Sequence, residues 1–151
     1  MDYQKLITKL NKQHLTITAV ESLTGGTFQS ELVKVPEAGN TYLGGFITYA
    51  TESKSKILGI SEEFVDQYGV VGKLPATEMA IHARQILDTD ISISFTGAAG
   101  PDKLEGYPVG TVFIGIADRR QSSAHEYHFN GDSSEIVTQA CQQGIDLLLN
   151  Y

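Results

Sequence analysis

The sequence predicts a layered α/β domain, and two features of the chain support this class. Segments with apolar residues at helical spacing alternate with short segments that are apolar at nearly every position. Such short, apolar segments are typical of strands that are covered on both faces of a sheet. The length of 151 residues suits one domain, so we assign residues 1–151 to a single unit.

The helix predictions rest on apolar residues spaced three and four apart. In chain order they are residues 2–13, a segment carrying Phe28, Leu32 and Val33, Thr51–Leu58, Ser61–Tyr68, a helix with Pro75 in its first turn and Ile86 and Leu87 on its apolar side, and Asp132–Leu149. A proline is tolerated in the first helical turn, where its missing N–H has no partner to lose. The last helix has Val137, Cys141, Gly144 and Leu148 on one face.

The strand predictions rest on short apolar runs bounded by turn residues. They are Leu15–Val20, Gly45–Ala50, Ile91–Phe95, Thr111–Ala117 and Ala124–Phe129. The last two are expected to form a hairpin that turns near Asp118–Gln121. Residues Asp102 to Pro108 carry turn-forming and charged side chains, and we expect a surface loop there.

Composition excludes several classes of protein. The single cysteine, Cys141, leaves no internal disulfide and no cysteine-rich metal site, and we expect it to pack in the core. The four histidines form no recognisable ligand pattern, so we predict no metal. A net charge of −7 argues against nucleic-acid binding. No apolar run is long enough for a signal peptide or a membrane span, and the expected location is the cytoplasm.

Two glycine-rich turns each follow a predicted buried strand. Gly25 and Gly26 follow the first strand, and Gly97 and Gly100 follow the third. Ligands of open α/β sheets bind at the carboxyl ends of the strands, where glycine allows close approach and free N–H groups attract anions. A tight turn with no ligand would have the same sequence, and both interpretations stay open on spacing alone.

Three side chains with reactive groups are expected at the same edge. Ser22 follows the first strand, Tyr49 ends the second, and Lys54 lies in the first turns of the next helix. A serine can act as a nucleophile beside a base, and partial burial lowers the pKa of a lysine toward neutrality. From the residues alone, Ser22 or Thr24 can equally be a helix cap.

Four segments resemble motifs of the CinA C-terminal domain family, in family order and across nearly the whole chain. The segment TAVESLTGG at 18–26 resembles the family's AES(C/L)TGG, and GGFITY at 44–49 with Lys54 and Leu58-Gly59 resembles its second motif. TGAAGP at 96–101 resembles TG-x-AGP, and PVGTV at 108–112 is identical to the family sequence.

The resemblance implies a three-layer α/β/α sandwich with a mostly parallel or mixed sheet of about five strands. It also implies an amidohydrolase that converts nicotinamide mononucleotide to nicotinic acid mononucleotide and ammonia, without a cofactor, in a homo-oligomer. The family's catalytic residues correspond to Ser22, Tyr49 and Lys54, which favours the nucleophile interpretation of Ser22. The predicted substrate-binding residues are Glu21, Thr24, Gly25, Gly26, Thr96, Gly97, Ala98 and Gly100.

The chain also departs from the family pattern. Active members have Val-Ser where this chain has Val71-Gly72, and they have arginines at the positions of Ser133 and Val137. Arginine binds phosphate in a bidentate manner that serine and valine do not reproduce. The alternative prediction is therefore a non-catalytic nucleotide-binding or regulatory paralogue of the same family.

Overall fold

A computed structural model describes residues 2–151 as a mixed five-stranded sheet covered by helices on both faces. The strands are β1 (Ile17–Glu21), β2 (Tyr42–Ile47), β3 (Ile91–Gly97), β4 (Thr111–Ala117) and β5 (Ser122–His128). The helices are α1 (Tyr3–Gln13), α2 (Thr27–Leu32), α3 (Thr51–Lys56), α4 (Glu62–Tyr68), α5 (Lys73–Leu87) and α6 (Ser133–Leu149), and Ala38–Asn40 form a short 3₁₀ turn. The predicted fold class is confirmed.

The sheet has the order β2-β1-β3-β4-β5. β1 pairs in parallel with both β2 and β3, whereas β4 and β5 are antiparallel to their neighbours. Every residue of the central strands β1, β3 and β4 is buried, as their apolar sequences predict. The three parallel strands therefore end at one edge of the sheet, and this edge holds the site described below.

The core lies on both faces of the sheet. On one face, α1, α2 and α6 pack their apolar sides against the strands, with Phe28 between Tyr3 and Phe95. On the other face, α5 covers the sheet and contributes Met79 and Ala83 to the core. Cys141 is fully buried on α6, where burial raises the pKa of its thiol to about 12, which leaves it protonated and unreactive near neutral pH.

Several predicted boundaries were wrong by two to three residues. β2 begins at Tyr42 instead of Gly45 and ends before Thr48, because its pairing with β1 is irregular and Gly44 adopts φ +118°. β1 begins at Ile17, and β5 begins at Ser122, directly after the predicted hairpin turn, in which the Asp118 N–H donates to the Gln121 carbonyl.

Two residues predicted for apolar helix faces are exposed. Val33 follows the end of α2 and lies outside the core, and Ile86 is 49% exposed in the last turn of α5, beyond the edge of the sheet. No helix among residues 2–151 is long and apolar enough to cross a membrane.

Candidate active site

The register of the parallel strands brings three chain segments together. Glu21 pairs with Ile47 on one side and with Phe95 on the other, so the residues that follow these three lie in one row at the edge of the sheet. The Ser22 N–H continues the ladder by donating to the Phe95 carbonyl at 2.9 Å. Ser22 is therefore held by the backbone of the sheet, and its side chain has little freedom to leave the edge.

Glu21 organises the start of α2 from within the core. Its fully buried carboxylate accepts hydrogen bonds from the N–H groups of Phe28 (2.8 Å) and Gln29 (3.2 Å) and from the Gln29 side-chain amide (2.8 Å). These are N–H groups of the first turn, which a capping side chain would otherwise satisfy. Neither Ser22 nor Thr24 caps α2, so the helix-cap interpretation is wrong.

Lys54 reaches Ser22 from the buried side of α3. Its ammonium nitrogen lies 3.0 Å from Ser22 Oγ and 2.5 Å from the Thr48 carbonyl oxygen, and the Tyr49 carbonyl oxygen is 3.4 Å away. The residue is only 2% exposed. The hydrogen-bond partners of the amine are thus two carbonyls and one hydroxyl, and among residues 2–151 it forms no salt bridge.

These surroundings make the Lys54 amine easier to deprotonate than an exposed lysine. Burial lowers the pKa of Lys54 to about 8, and the charge of Glu105 acts in the opposite direction. The ammonium donates to Ser22 Oγ and to both carbonyls, whereas the neutral amine donates to the two carbonyls and accepts from the Ser22 hydroxyl, so the contacts accommodate both forms. At neutral pH a useful fraction of molecules therefore carries a base in contact with the Ser22 hydroxyl.

Ser22 and Lys54 lie at the bottom of an open cavity of about 460 Å³. One wall is the end of β3 and the loop after it, with Thr96, Gly97, Ala98 and Gly100. Thr96 donates its hydroxyl to the Val70 carbonyl at 2.6 Å, which fixes this wall to the segment between α4 and α5. The next four residues, Pro101–Leu104, also line the cavity and are called the roof below.

Another cavity, of about 390 Å³, lies at the opposite edge of the sheet, beside Leu15 and Ile91. Most of its charged groups have partners, as in the pairs of Arg119 with Asp88 and Asp90. Its one hydroxyl in contact with a carboxylate is the Tyr151 phenol, which donates to Asp118, and burial raises the pKa of this phenol to about 12, so it stays protonated near neutral pH. The chemistry therefore places the candidate active site at Ser22.

Comparisons with known proteins show the family of the chain. The profile of the CinA C-terminal domain family matches residues 3–151. The chain belongs to the CinA family. A competence-damage inducible protein of Levilactobacillus brevis is 48% identical over 144 residues, which cover 95% of this chain and 35% of the relative. One from Streptococcus agalactiae is 50% identical over 128 residues, covering 85% and 30%. The chain thus spans about a third of the length of these curated relatives.

Solved structures show the same fold. A CinA superfamily protein of Escherichia coli superposes with a TM-score of 0.94 at 32% identity, covering 99% of this chain and 88% of the other. A competence or damage-inducible protein of Enterobacter asburiae gives the same score and identity, with 98% and 94% covered. The fold of this CinA domain is therefore shared with crystal structures over almost its full length.

Tyr49 borders the cavity of this CinA domain without reaching the serine. It lies beyond the end of β2, its side chain is 73% exposed, and its hydroxyl takes part in no hydrogen bond among the described residues. The backbone carbonyl of Tyr49, and not its phenol, approaches Lys54. The phenol is therefore available to a ligand in the cavity, whereas a contact with Ser22 is absent among the described residues.

Four of the predicted binding residues do not line the cavity. Glu21 is occupied by α2, and Gly25 and Gly26 form the turn behind it, with Gly26 beside the Ile47 side chain. Thr24 is buried, its hydroxyl has no hydrogen-bond partner among residues 2–151, and it does not line the cavity either. These four residues shape the sheet edge at the end of β1, and we assign them no contact with a ligand.

The departures from the CinA pattern lie in different places. Gly72 is the N-cap residue of α5, where the family's serine would cap a helix, and it does not line the cavity. Ser133 begins α6 and donates its hydroxyl to the Ala99 carbonyl at 2.7 Å, directly behind the cavity wall. Val137 is one turn further along α6. The missing arginines would therefore lie close to the cavity wall at Ala99, whereas Gly72 lies at the start of a helix away from the cavity.

Sequence reasoning missed three charged residues of the loop after β3. Asp102 and Lys103 line the cavity. Glu105 holds the loop in place through hydrogen bonds from the N–H groups of Val70 and Val71. The only signal was their position between two recognised motifs, because charged residues in a surface loop ordinarily face water. Lys103 and Lys54 are the two cationic residues among those that line the cavity.

Proposed function

We propose that this CinA domain hydrolyses the carboxamide of nicotinamide mononucleotide to the acid and ammonia. The observation that carries the proposal is the contact of 3.0 Å between Ser22 Oγ and the buried Lys54 amine, at the bottom of a cavity of nucleotide size. A nucleophile in contact with a base of lowered pKa is the arrangement that covalent hydrolysis of an amide requires.

In the proposed first step, neutral Lys54 takes the Ser22 proton while Oγ forms a bond to the amide carbon. The tetrahedral intermediate then breaks its C–N bond, and protonated Lys54 returns the proton to the departing ammonia. A water molecule hydrolyses the resulting ester, with Lys54 again acting as base, and releases the carboxylic acid and free Ser22. We assign the Tyr49 phenol to the rim, where rotation brings it to the proton path.

The negative oxygen of the intermediate needs hydrogen-bond donors. Leu23 lines the cavity directly after the nucleophile, and its N–H takes part in no hydrogen bond among residues 2–151. The N–H of the residue after a serine nucleophile serves this purpose in other hydrolases. We therefore assign the Leu23 N–H as an oxyanion donor.

The substrate phosphate requires a positive or N–H-rich wall. The N–H groups of Ala99 and Gly100 have no acceptor among the described residues, and Lys103 lines the cavity beside them. Peptide N–H groups in such turns bind anions, and a lysine adds a point charge. We therefore assign the phosphate to the second of the two predicted glycine turns, Gly97–Gly100, and not to Gly25 and Gly26.

The experiment is ammonia release from nicotinamide mononucleotide by purified protein. We expect turnover in the wild-type chain and a loss of roughly a thousand-fold or more in Ser22→Ala, because the nucleophile and its base act as a unit. Ser123→Ala is the matched control, since that serine is exposed on β5. Activity that persists in Ser22→Ala would exclude the nucleophile assignment.

The absence of arginine at Ser133 and Val137 favours one second candidate, a domain that binds the nucleotide without turnover. Calorimetry with nicotinamide mononucleotide separates the two. Binding to the wild-type chain without ammonia release supports the second candidate, and measurable, Ser22-dependent release excludes it.

A further inference from the structure

The roof of the cavity is attached to its wall by one carboxylate. Glu105 accepts hydrogen bonds from the Val70 N–H at 3.1 and 3.0 Å, one to each oxygen, and from the Val71 N–H at 2.9 Å. The loop closes on itself around Glu105, where Leu104 and Tyr107 exchange backbone hydrogen bonds of 3.2 and 2.9 Å. Hydrogen bonds to a charged acceptor are roughly twice as strong as those between neutral groups.

The backbone on both sides is shaped for this contact. Gly69 has φ +74°, and a side chain there would overlap the Glu105 carboxylate. Glu105 itself has φ +51°, a conformation that residues other than glycine adopt at a cost. Because both residues depart from ordinary backbone geometry at the same contact, the contact is a specific feature of this fold.

The carboxylate connects two parts of the site. Val70 lines the cavity, and its carbonyl accepts the Thr96 hydroxyl, so the Val70 segment is fixed to β3. Pro101–Leu104, the residues just before Glu105, form the roof of the cavity that contains Ser22 and Lys54. Release of Glu105 would leave the roof without these bonds to the wall.

We propose that Glu105 is a positioning residue, which holds the roof against the wall of the cavity that contains Ser22 and Lys54 and fixes a negative charge at the Val70 side of that cavity. This inference rests on the proposed amide hydrolysis. The charge of Glu105 raises the pKa of Lys54 against the effect of burial, so removal of the charge makes the amine easier to deprotonate.

The other charged groups around Lys54 are few. Asp102 and Lys103 lie on the roof and oppose each other in sign. On α3, Glu52 and Lys56 are both exposed and pair with each other at 3.7 Å. Two carboxylates near the site are held by backbone hydrogen bonds: Glu21, which precedes Ser22 and is bound to the start of α2, and Glu105, which is bound to the Val70 side of the cavity.

Two variants separate the effect of the Glu105 hydrogen bonds to Val70 and Val71, which we call the clasp, from the effect of its charge. Glu105→Gln retains Oε1, which receives N–H groups from both Val70 and Val71, but removes the charge. Glu105→Asp retains the charge but is one methylene too short for the clasp. Glu63→Gln, on the exposed face of α4, is the control for a change of one negative charge.

The first readout is the pH profile of kcat/KM with nicotinamide mononucleotide. We expect the acidic limb of Glu105→Gln to move to lower pH, on the order of half a unit for a charge acting across a partly wet cavity. We expect Glu105→Asp to lose roughly ten-fold in kcat/KM with its acidic limb in place, since displaced groups lose rate steeply. An unmoved limb in Glu105→Gln would refute the inference.

The second readout does not depend on turnover. Carbon NMR of the lysine side chains titrates Lys54 directly in the wild-type chain and in the three variants. A lower Lys54 pKa in Glu105→Gln, but not in Glu63→Gln, supports the inference even if no ammonia is released, in which case only the proposed hydrolysis has failed. Equal Lys54 pKa values in all four proteins would refute the role of the Glu105 charge.

Discussion

Burial of Lys54 should make the free energy of unfolding of this protein rise between neutral and alkaline pH. The substitution Lys54→Met should remove this contribution. The pKa of this amine falls from 10.5 to about 8 in the folded chain because the side chain is out of water. Since one pKa unit corresponds to about 1.4 kcal/mol, the charged form costs the fold about 3 kcal/mol below pH 8. This conversion applies because the residue is only 2% exposed.

The sign follows from the number of protons bound in each state. Between pH 8 and pH 10.5 the unfolded chain keeps the Lys54 proton and the folded chain releases it, so the free energy of unfolding rises with pH. Relative to Lys54→Met, the wild-type chain should gain about 1 kcal/mol from pH 7 to pH 9 and about 2 to 3 kcal/mol from pH 7 to pH 10. The Thr48 carbonyl that methionine leaves without a donor adds a cost that does not vary with pH.

The measurement is urea unfolding of both proteins at pH 7, 8, 9 and 10. All other titrating groups, including the buried tyrosine Tyr3, are common to the two chains and cancel in the difference. Lys12→Met, which changes an exposed lysine of α1, should show a difference from the wild-type chain that is nearly constant with pH. A constant difference for Lys54→Met as well would mean that the folded amine keeps its ordinary pKa, and the argument for a neutral base would fail.

Three further predictions concern the site and its support. Lys54→Arg should fold yet lose roughly a hundred-fold or more in ammonia release, because a guanidinium does not give up its proton; near-normal turnover would refute the base assignment. Lys103→Met should weaken binding of nicotinamide mononucleotide more than that of nicotinamide riboside in calorimetry, whereas Lys12→Met should change neither; equal losses would exclude the phosphate contact. Gly144→Ala should destabilise the fold by roughly 1 to 3 kcal/mol in urea unfolding, because its Cβ would lie 2.6 Å from the Phe95 ring; unchanged stability would refute this packing.

The contact between Ser22 and the loop at Thr96 could be predicted from sequence because parallel strands impose it. Two apolar strands that each end in a glycine-containing turn must expose those turns at the same edge when they pair in parallel. The register of Glu21 with Phe95 then fixes Ser22 and Thr96 as neighbours. The prediction needed only the strands and their order, which short apolar runs indicate well.

The position of Tyr49 could not be predicted in the same way. The prediction treated it as the end of β2, but an irregularity at Gly44 shifts the strand toward Tyr42, and Thr48 already lies beyond its end. A local irregularity of this kind leaves no periodic signal, since the alternation of side chains changes within the strand itself. The phenol therefore lies outside the hydrogen-bonded ladder and is free to move.

The buried role of Glu21 also escaped prediction, for a different reason. An acidic residue before a serine at a sheet edge has the pattern of a ligand-binding group. The N-cap residue of α2 is Gly26, which has no side chain that could accept a hydrogen bond. The N–H groups of the first turn therefore need an acceptor from elsewhere. Accounting for those N–H groups would have indicated Glu21 as the acceptor.

The two halves of the site differ in how they are held, and this has a consequence for its evolution. Ser22 is held by a ladder hydrogen bond, and Lys54 by contacts to Ser22 and the Thr48 carbonyl, within the buried edge of the sheet. The groups assigned to the phosphate lie on a loop that depends on the Glu105 clasp and on the Ser133 contact to Ala99. Substitutions in the loop can therefore change which ligand the site accepts without moving the serine and the lysine. The positions of the missing arginines, Ser133 and Val137, lie on α6, and Ser133 contacts this loop. Their replacement is therefore compatible with the proposed hydrolysis of a ligand that is held differently.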